Sequence, residues 1–151
     1  TIHNKQLETI NDRREIGEMA EARGEGAKYD LEDRLLRYSA SIVRLTEKMD
    51  KSRAGNHVAG QLLRSGTSPL FNHGEAEAAE SQNDFIHKLC VCLKELKESK
   101  RALLLTKEVP LLRPPSAVDP VLDETEQLIR IFGASVRTAK TKLRPIGEKG
   151  G

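Results

Sequence analysis

Apolar residues recur along this chain at helical spacing in four long runs, separated by short polar or proline-rich breaks. The clearest run is Leu31, Leu35, Tyr38, Ile42, Leu45 and Met49. Steps alternating between four and three hold these residues on one side of an α-helix, the seam of a bundle. Asp30 stands at the expected N-cap, and Glu32 and Asp33 fall in the first turn, where the helix dipole favours acids. Asp50-Lys51-Ser52 predicts a tight turn, with Ser52 capping the next helix.

A second helix is expected from about Arg53, burying Val58, Leu62 and Leu63. Ala54, Gly55, Ala59 and Gly60 keep that end thin, so a neighbouring backbone can come close. Gly66 and Pro69 weaken it, since glycine costs about 1 kcal/mol against alanine and proline removes a backbone donor. The pattern predicts a kink there, with helix resuming through Ala76, Ala78 and Ala79; a loop over 65–74 is the alternative. Ser81 opens a third helix, with Asp84 three residues on, a relative of the capping box. Phe85, Leu89, Cys92, Leu96 and Leu103 share its face, Ser99 is the weak position, and Ile86 and Leu93 widen the stripe.

Pro110, Pro114 and Pro115 end that helix and stiffen the connection. Asp119 and Pro120 are a cap and a first helical residue for the fourth helix. Its expected stripe is Val118, Leu122, Ile129, Phe132, Val136 and Leu143, with Pro145 as the stop. Residues 2–22 read as a poorer helix, broken by Arg13 and Arg14 and ended by Gly24-Glu25-Gly26. The fold expected is all-α: an antiparallel up-down-up-down four-helix bundle with an additional N-terminal helical segment. The segments are an appendage over 1–27, the bundle over 28–145 and a tail over 146–151.

Composition agrees with a bundle. Of 151 residues, 37% are apolar and 32% charged, and tryptophan is absent. One domain of this size needs no disulfide or metal staple. The net charge of +2 is small but unevenly spread: residues 1–36 carry nine acids against six bases, and residues 37–151 fourteen against nineteen. A surplus of bases on the bundle would attract polyanions at low salt. Cys90 and Cys92, two apart on a helix, point away from each other, which fits a reducing compartment. No apolar run is long enough for a membrane span, and the first thirty residues lack a signal-like apolar core. A cytoplasmic location and no membrane partner are expected.

An ordered set of short motifs covers the middle of the chain. It comprises Gln61-Leu62-Leu63-Arg64-Ser65-Gly66-Thr67-Ser68, Asn72-x-x-Glu75-Ala76, Asp84-Phe85-Ile86-x-Lys88-Leu89 and Leu93-Lys94-Glu95-Leu96. With these motifs, residues from about 30 to 143 resemble the four-helix bundle family encoded in intervening sequences of bacterial large-subunit ribosomal RNA genes. The superfamily also holds the accessory variability determinant of diversity-generating retroelements. The resemblance implies a ring-like homopentamer without catalytic activity. It also implies partners: RNA or DNA, and a reverse transcriptase or another protein. His73 and Gly74 depart from the family pattern, which makes the helix there less secure. Asn72, Glu75 and Phe85 are structural or interface candidates, Asn72 and Glu75 as hydrogen-bonding ties from the second helix to a neighbour.

Candidates for catalysis are few. Asp84 and His87 form one i, i+3 pair, where a di-metal bundle needs two Glu-x-x-His pairs and two more carboxylates. Glu75, Glu77 and Glu80 suit an exposed face, and His57 and His73 suit surface or interface positions. No phosphate-binding glycine loop or nucleophile elbow is present. No metal, no cofactor and no enzymatic activity are expected. Candidate phosphate contacts are Arg37, Arg44, Arg53, Arg64, Arg137, Lys140, Lys142 and Arg144. The function expected is a non-enzymatic oligomeric scaffold or nucleic-acid-binding accessory protein. The alternative is a protein–protein assembly module with no nucleic-acid role.

Overall fold

The structure, a computed structural model, describes residues 26–143. The expected helix over 2–22, the Pro145 stop, Arg144 and the tail lie outside the described residues. Four α-helices follow in order: α1 Gly26–Lys48, α2 Arg53–Glu77, α3 Gln82–Glu108 and α4 Asp119–Leu143, with a short 3-10 helix, Pro115–Val118, before α4. No strand occurs among the described residues. The chain divides into two compact units, 1–34 and 35–151. The packing described below is that of the second unit, an all-α helical bundle.

Local chemistry explains most boundaries. Ser52 caps α2, its hydroxyl accepting from the Gly55 N–H at 3.1 Å, and Ser81 caps α3 by accepting from the Asp84 N–H at 3.1 Å. Two expected caps are corrected. Asp30 lies inside α1, which already begins at Gly26. Asp119 has helical dihedrals, because the 3-10 turn runs straight into α4, and its carboxylate instead takes the Lys107 ammonium at 2.7 Å. Pro69 sits inside a continuous α2, so no loop forms over 65–74, and neither His73 nor Gly74 interrupts the helix.

The core is built from Leu35, Tyr38, Ile42, Leu45 and Met49 of α1 and Leu62 of α2. Leu89, Cys92, Leu96 and Leu103 of α3 and Leu128, Phe132 and Val136 of α4 complete it. Gly66 lets α1 and α2 meet: a Cβ at this position would lie 2.7 Å from Ile42 Cγ2. Gly60, by contrast, faces open space. The α3–α4 connection closes one end of the bundle, with Leu111 and Leu112 buried and the Leu111 carbonyl accepting from the Asp50 N–H at 2.9 Å.

Several expected apolar positions are displaced. Leu63 and Leu143 are exposed, and Val58, Leu122 and Ile129 are only half-buried. On α4 the buried line runs Val118, Thr125, Leu128, Phe132, Val136 and Ala139. Thr125 holds a core place because its hydroxyl donates to the Val121 carbonyl at 2.7 Å and can still accept from Tyr38 Oη at 2.8 Å. Across the other helix pair, Ser99 Oγ lies 2.9 Å from that of Ser65. One buried hydroxyl from each helix thus takes part in one of two hydrogen-bonded pairs, Tyr38 with Thr125 and Ser65 with Ser99.

Candidate nucleic-acid interface

Glu126 and Asp119 on α4 reach across to α3, pairing with Lys100 at 3.5 Å and Lys107 at 2.7 Å. These pairs fix the antiparallel register and mark which edge of α4 faces α3. Seven-residue steps from Asp119 through Glu126 continue along that edge to Gly133 and Lys140. At about 100° per residue, Arg130, Arg137 and Lys140 fall within about 80° of one another on this side. Lys94, Lys97 and Arg101 fall within about 60° of one another on the outer side of α3.

The two ends of this face therefore differ in charge. Near the start of α4, lysines meet carboxylates. Toward its C-terminus the helix carries only positive charge, residues 127–143 having four bases and no acid. Lys94, Lys97, Arg101, Arg130, Arg137 and Lys140 are all exposed. None of their side chains makes an ion pair or hydrogen bond with a described residue. Glu98, one turn from Lys94, feels that lysine's charge but is held chiefly by Arg64, whose Nη2 lies 3.2 Å from both its oxygens. At Gly133 only the Arg137 guanidinium comes within reach of an added Cβ, at 3.5 Å. A surplus of exposed cations sets up a field that an anion relieves.

Of the eight cations expected from the sequence, Arg144 lies outside the described residues, and the other seven do not share one helix face. Arg137 and Lys140 belong to this face, whereas Lys142 lies about 200° further round α4 from Lys140. Arg37 and Arg44 are exposed on α1, and Arg53 is exposed at the start of α2. Arg64 bridges two helices, with Nη1 3.1 Å from Glu95 as well as Nη2 against Glu98. Lys94, Lys97, Arg101 and Arg130 were missed. In the sequence Lys94, Lys97 and Arg101 are interleaved with Glu95 and Glu98 and read as an ordinary mixed-charge face, and Arg130 is a lone base in an apolar stretch.

Glu95 is only 8% exposed. Burial, with Glu98 beside it, pushes its carboxyl above the usual range, against the pull of Arg64. The Arg64 hydrogen bond holds Glu98 below the usual range. Glu75 ties α2 to α3 by a 2.7 Å pair with Lys88, as expected, and that partner raises the Lys88 ammonium. Asn72 does not: its amide donates to the Ser68 carbonyl at 3.0 Å and to the Ser68 hydroxyl at 2.8 Å, on its own helix. Phe85 is half-buried beside an open depression at the α2–α3 turn.

His73 is buried, edge-on to Phe132 with ring centroids 6.2 Å apart, rather than at a surface. Cys92 is a core residue whose thiol is pushed up to about 12 by burial; Cys90 is half-buried. Among the described residues, no three His, Cys, Asp or Glu side chains converge as a metal site, and no helix is long and apolar enough to cross a membrane.

No protein-family model and no curated protein matches the chain. Among solved structures, the chain is similar to a protein of unknown function from the S23 ribosomal protein family of Bacteroides thetaiotaomicron VPI-5482. The identity is 28% over 70% of this chain and 96% of that one, with a TM-score of 0.64.

Proposed function

We propose that this protein is a non-enzymatic, oligomeric helical bundle acting as a scaffold or accessory factor on nucleic acid. The observation that supports this reading is the set of exposed cations on α3 and α4 that make no ion pair with a described residue. The similar bundle from the S23 ribosomal protein family lends support through its name, and the motif resemblance to the intervening-sequence family points the same way. By that resemblance the assembly is a pentamer and a reverse transcriptase is a candidate protein partner, and the two cysteines suit a cytoplasmic location.

Exposed apolar residues supply a reason to self-associate. Leu36 and Val43 on α1, seven apart, share a helix side, and Leu63 and Phe71 stand out from α2, Phe71 at 66% exposure. Exposed apolar groups gathered on neighbouring helices favour a protein contact. The same residues support a second reading, an assembly module without nucleic acid.

Gel-shift titration at fixed low salt separates the two. Nucleic-acid binding by the purified protein, weakened in Lys94→Glu/Arg137→Glu, is the expected result. A protein that shifts no RNA or DNA at low salt leaves only the second reading. Sedimentation equilibrium returning the mass of a single 16.8 kDa chain removes the oligomer.

A further inference from the structure

We infer that the outer face of α2 is a two-fold contact between two copies of this chain, antiparallel and centred on Thr67. The inference rests on the self-association in the reading above and adds the surface, the symmetry and the register.

Gly60 and Leu63 precede Thr67 by seven and four residues, and Phe71 and Gly74 follow it by four and seven. At about 100° per residue, all four fall within about 40° of Thr67. They form a stripe about 21 Å long, on a side of α2 turned about 140° from the core residue Leu62. Gly60, Leu63, Phe71 and Gly74 are exposed and Thr67 is half-buried. Phe71 is the most exposed large apolar side chain among the described residues. None of the five is charged. At neither glycine does an added Cβ find an atom within 4 Å.

The order of sizes along this stripe selects a second copy as its occupant. In either direction from Thr67 comes a large apolar residue and then a glycine. A two-fold axis through Thr67 reverses the helix. It sets Leu63 against Phe71 of the second copy, and Gly60 against Gly74 of the second copy. The bulky pairs are thus bracketed by places without side chains, where the two backbones can approach. A surface that matches itself under a half-turn is what an isologous contact requires.

Charge favours the same orientation. The bases of α2, Arg53 and Arg64, lie in its first half, and its acids, Glu75 and Glu77, lie near its end. Antiparallel pairing lays the basic half against the acidic half of the second copy, whereas parallel pairing sets like against like. Arg64 and Glu75 keep their partners on α3, so this pattern orients the encounter more than it tightens it. A two-fold contact joins chains in pairs and does not close a ring of five. Where rings of five form, it joins one ring to another.

The test is disulfide trapping on the full chain. Thr67→Cys puts a thiol on the axis, facing its own copy, and a disulfide closes between Cα atoms about 4.4–6.8 Å apart. Asn56→Cys lies on the same side of α2, eleven residues from the axis, so its two copies stand about 33 Å apart. Under mild oxidation, Thr67→Cys is expected to give at least tenfold more covalent dimer on a non-reducing gel than Asn56→Cys. It should exceed the wild type as well, where Cys90 and Cys92 supply the background. Gly60→Glu sets a further carboxylate against the acidic end of α2 in the second copy. In sedimentation equilibrium it is expected to halve the assembled mass with circular dichroism unchanged.

An assembled wild type in which Thr67→Cys cross-links no better than Asn56→Cys overturns the inference and leaves the oligomeric reading standing. So does an assembled mass untouched by Gly60→Glu. A wild type that sediments as a single 16.8 kDa chain overturns the inference and the oligomer together.

Discussion

Gly66 lies so close to Ile42 that a single added carbon would sit within 2.7–3.0 Å of three atoms of the isoleucine side chain. The bare backbone at this position lets α1 and α2 pack closely. Gly66→Ala gains helix propensity but forces Ile42 to shift, and overpacking of this kind costs about 1–3 kcal/mol. A net loss of about 1–2 kcal/mol is expected in urea unfolding. Gly60→Ala, where nothing stands within 4 Å, is expected to be neutral or to stabilise by up to about 1 kcal/mol. Pairing Gly66→Ala with Ile42→Ala should give a loss smaller than the two singles combined, because the clash vanishes.

Tyr38 makes a pH prediction. Burial raises its phenol to about 12, against an ordinary value of 10.0. The unfolded chain therefore releases this proton first. The sign follows: stability from the buried neutral phenol is full below pH 10 and is lost as pH rises from about 10 to about 12. Chemical denaturation across pH 9 to 12 is expected to show this fall in the wild type and a smaller one in Tyr38→Phe. Near neutral pH that variant should cost about 1 kcal/mol, the worth of an ordinary buried hydrogen bond.

Arg64 holds a mostly buried Glu95 and an exposed Glu98 with one guanidinium. Its removal in Arg64→Ala leaves the Glu95 charge with less compensation. Carboxyl NMR titration is expected to show Glu95 moving further up and Glu98 returning toward its ordinary range. Raised Glu95 favours folding more as pH falls, whereas lowered Glu98 favours it less, so the two oppose each other in acid. Because Arg64 is half-exposed, solvent screening keeps the stability loss near 1 kcal/mol or below at pH 7.

Phe71 and Leu63 contribute little to the folded monomer, being exposed on α2. Leu63→Ser/Phe71→Ser is expected to leave circular dichroism unchanged within about 0.5 kcal/mol of stability. In sedimentation equilibrium the same variant should lower the mass of any assembly the wild type forms. An unchanged mass would place the oligomer contact elsewhere.

The bundle was legible in the sequence because its caps and seams are local signals. Ser52 and Ser81 announce their helices, and the α1 stripe from Leu35 to Met49 is buried throughout. On α4, local reading went astray where a polar residue took an inside place. Thr125 looks like surface until Tyr38 supplies its partner, and a stripe drawn through Leu122 and Ile129 misses Leu128. The expectation for Asn72 also failed, since Ser68 on its own helix was within reach. The candidate face was least visible. Lys94 and Arg137 are far apart along the chain, and that they stand exposed without an ion pair to a described residue shows only in the structure, while the more conspicuous Arg64 proved to be spoken for by two glutamates.

The two buried hydroxyl pairs bear on how the rods find their alignment. Aliphatic side chains tolerate sliding by a turn, since one methyl group replaces another at small cost. Tyr38, Ser65, Ser99 and Thr125 do not, because displacing any one rod by about 5.4 Å sets oxygen against carbon and strands a donor away from water. This thin polar stratum works like the notches of a key, admitting one alignment of the four rods from among several that grease alone would accept.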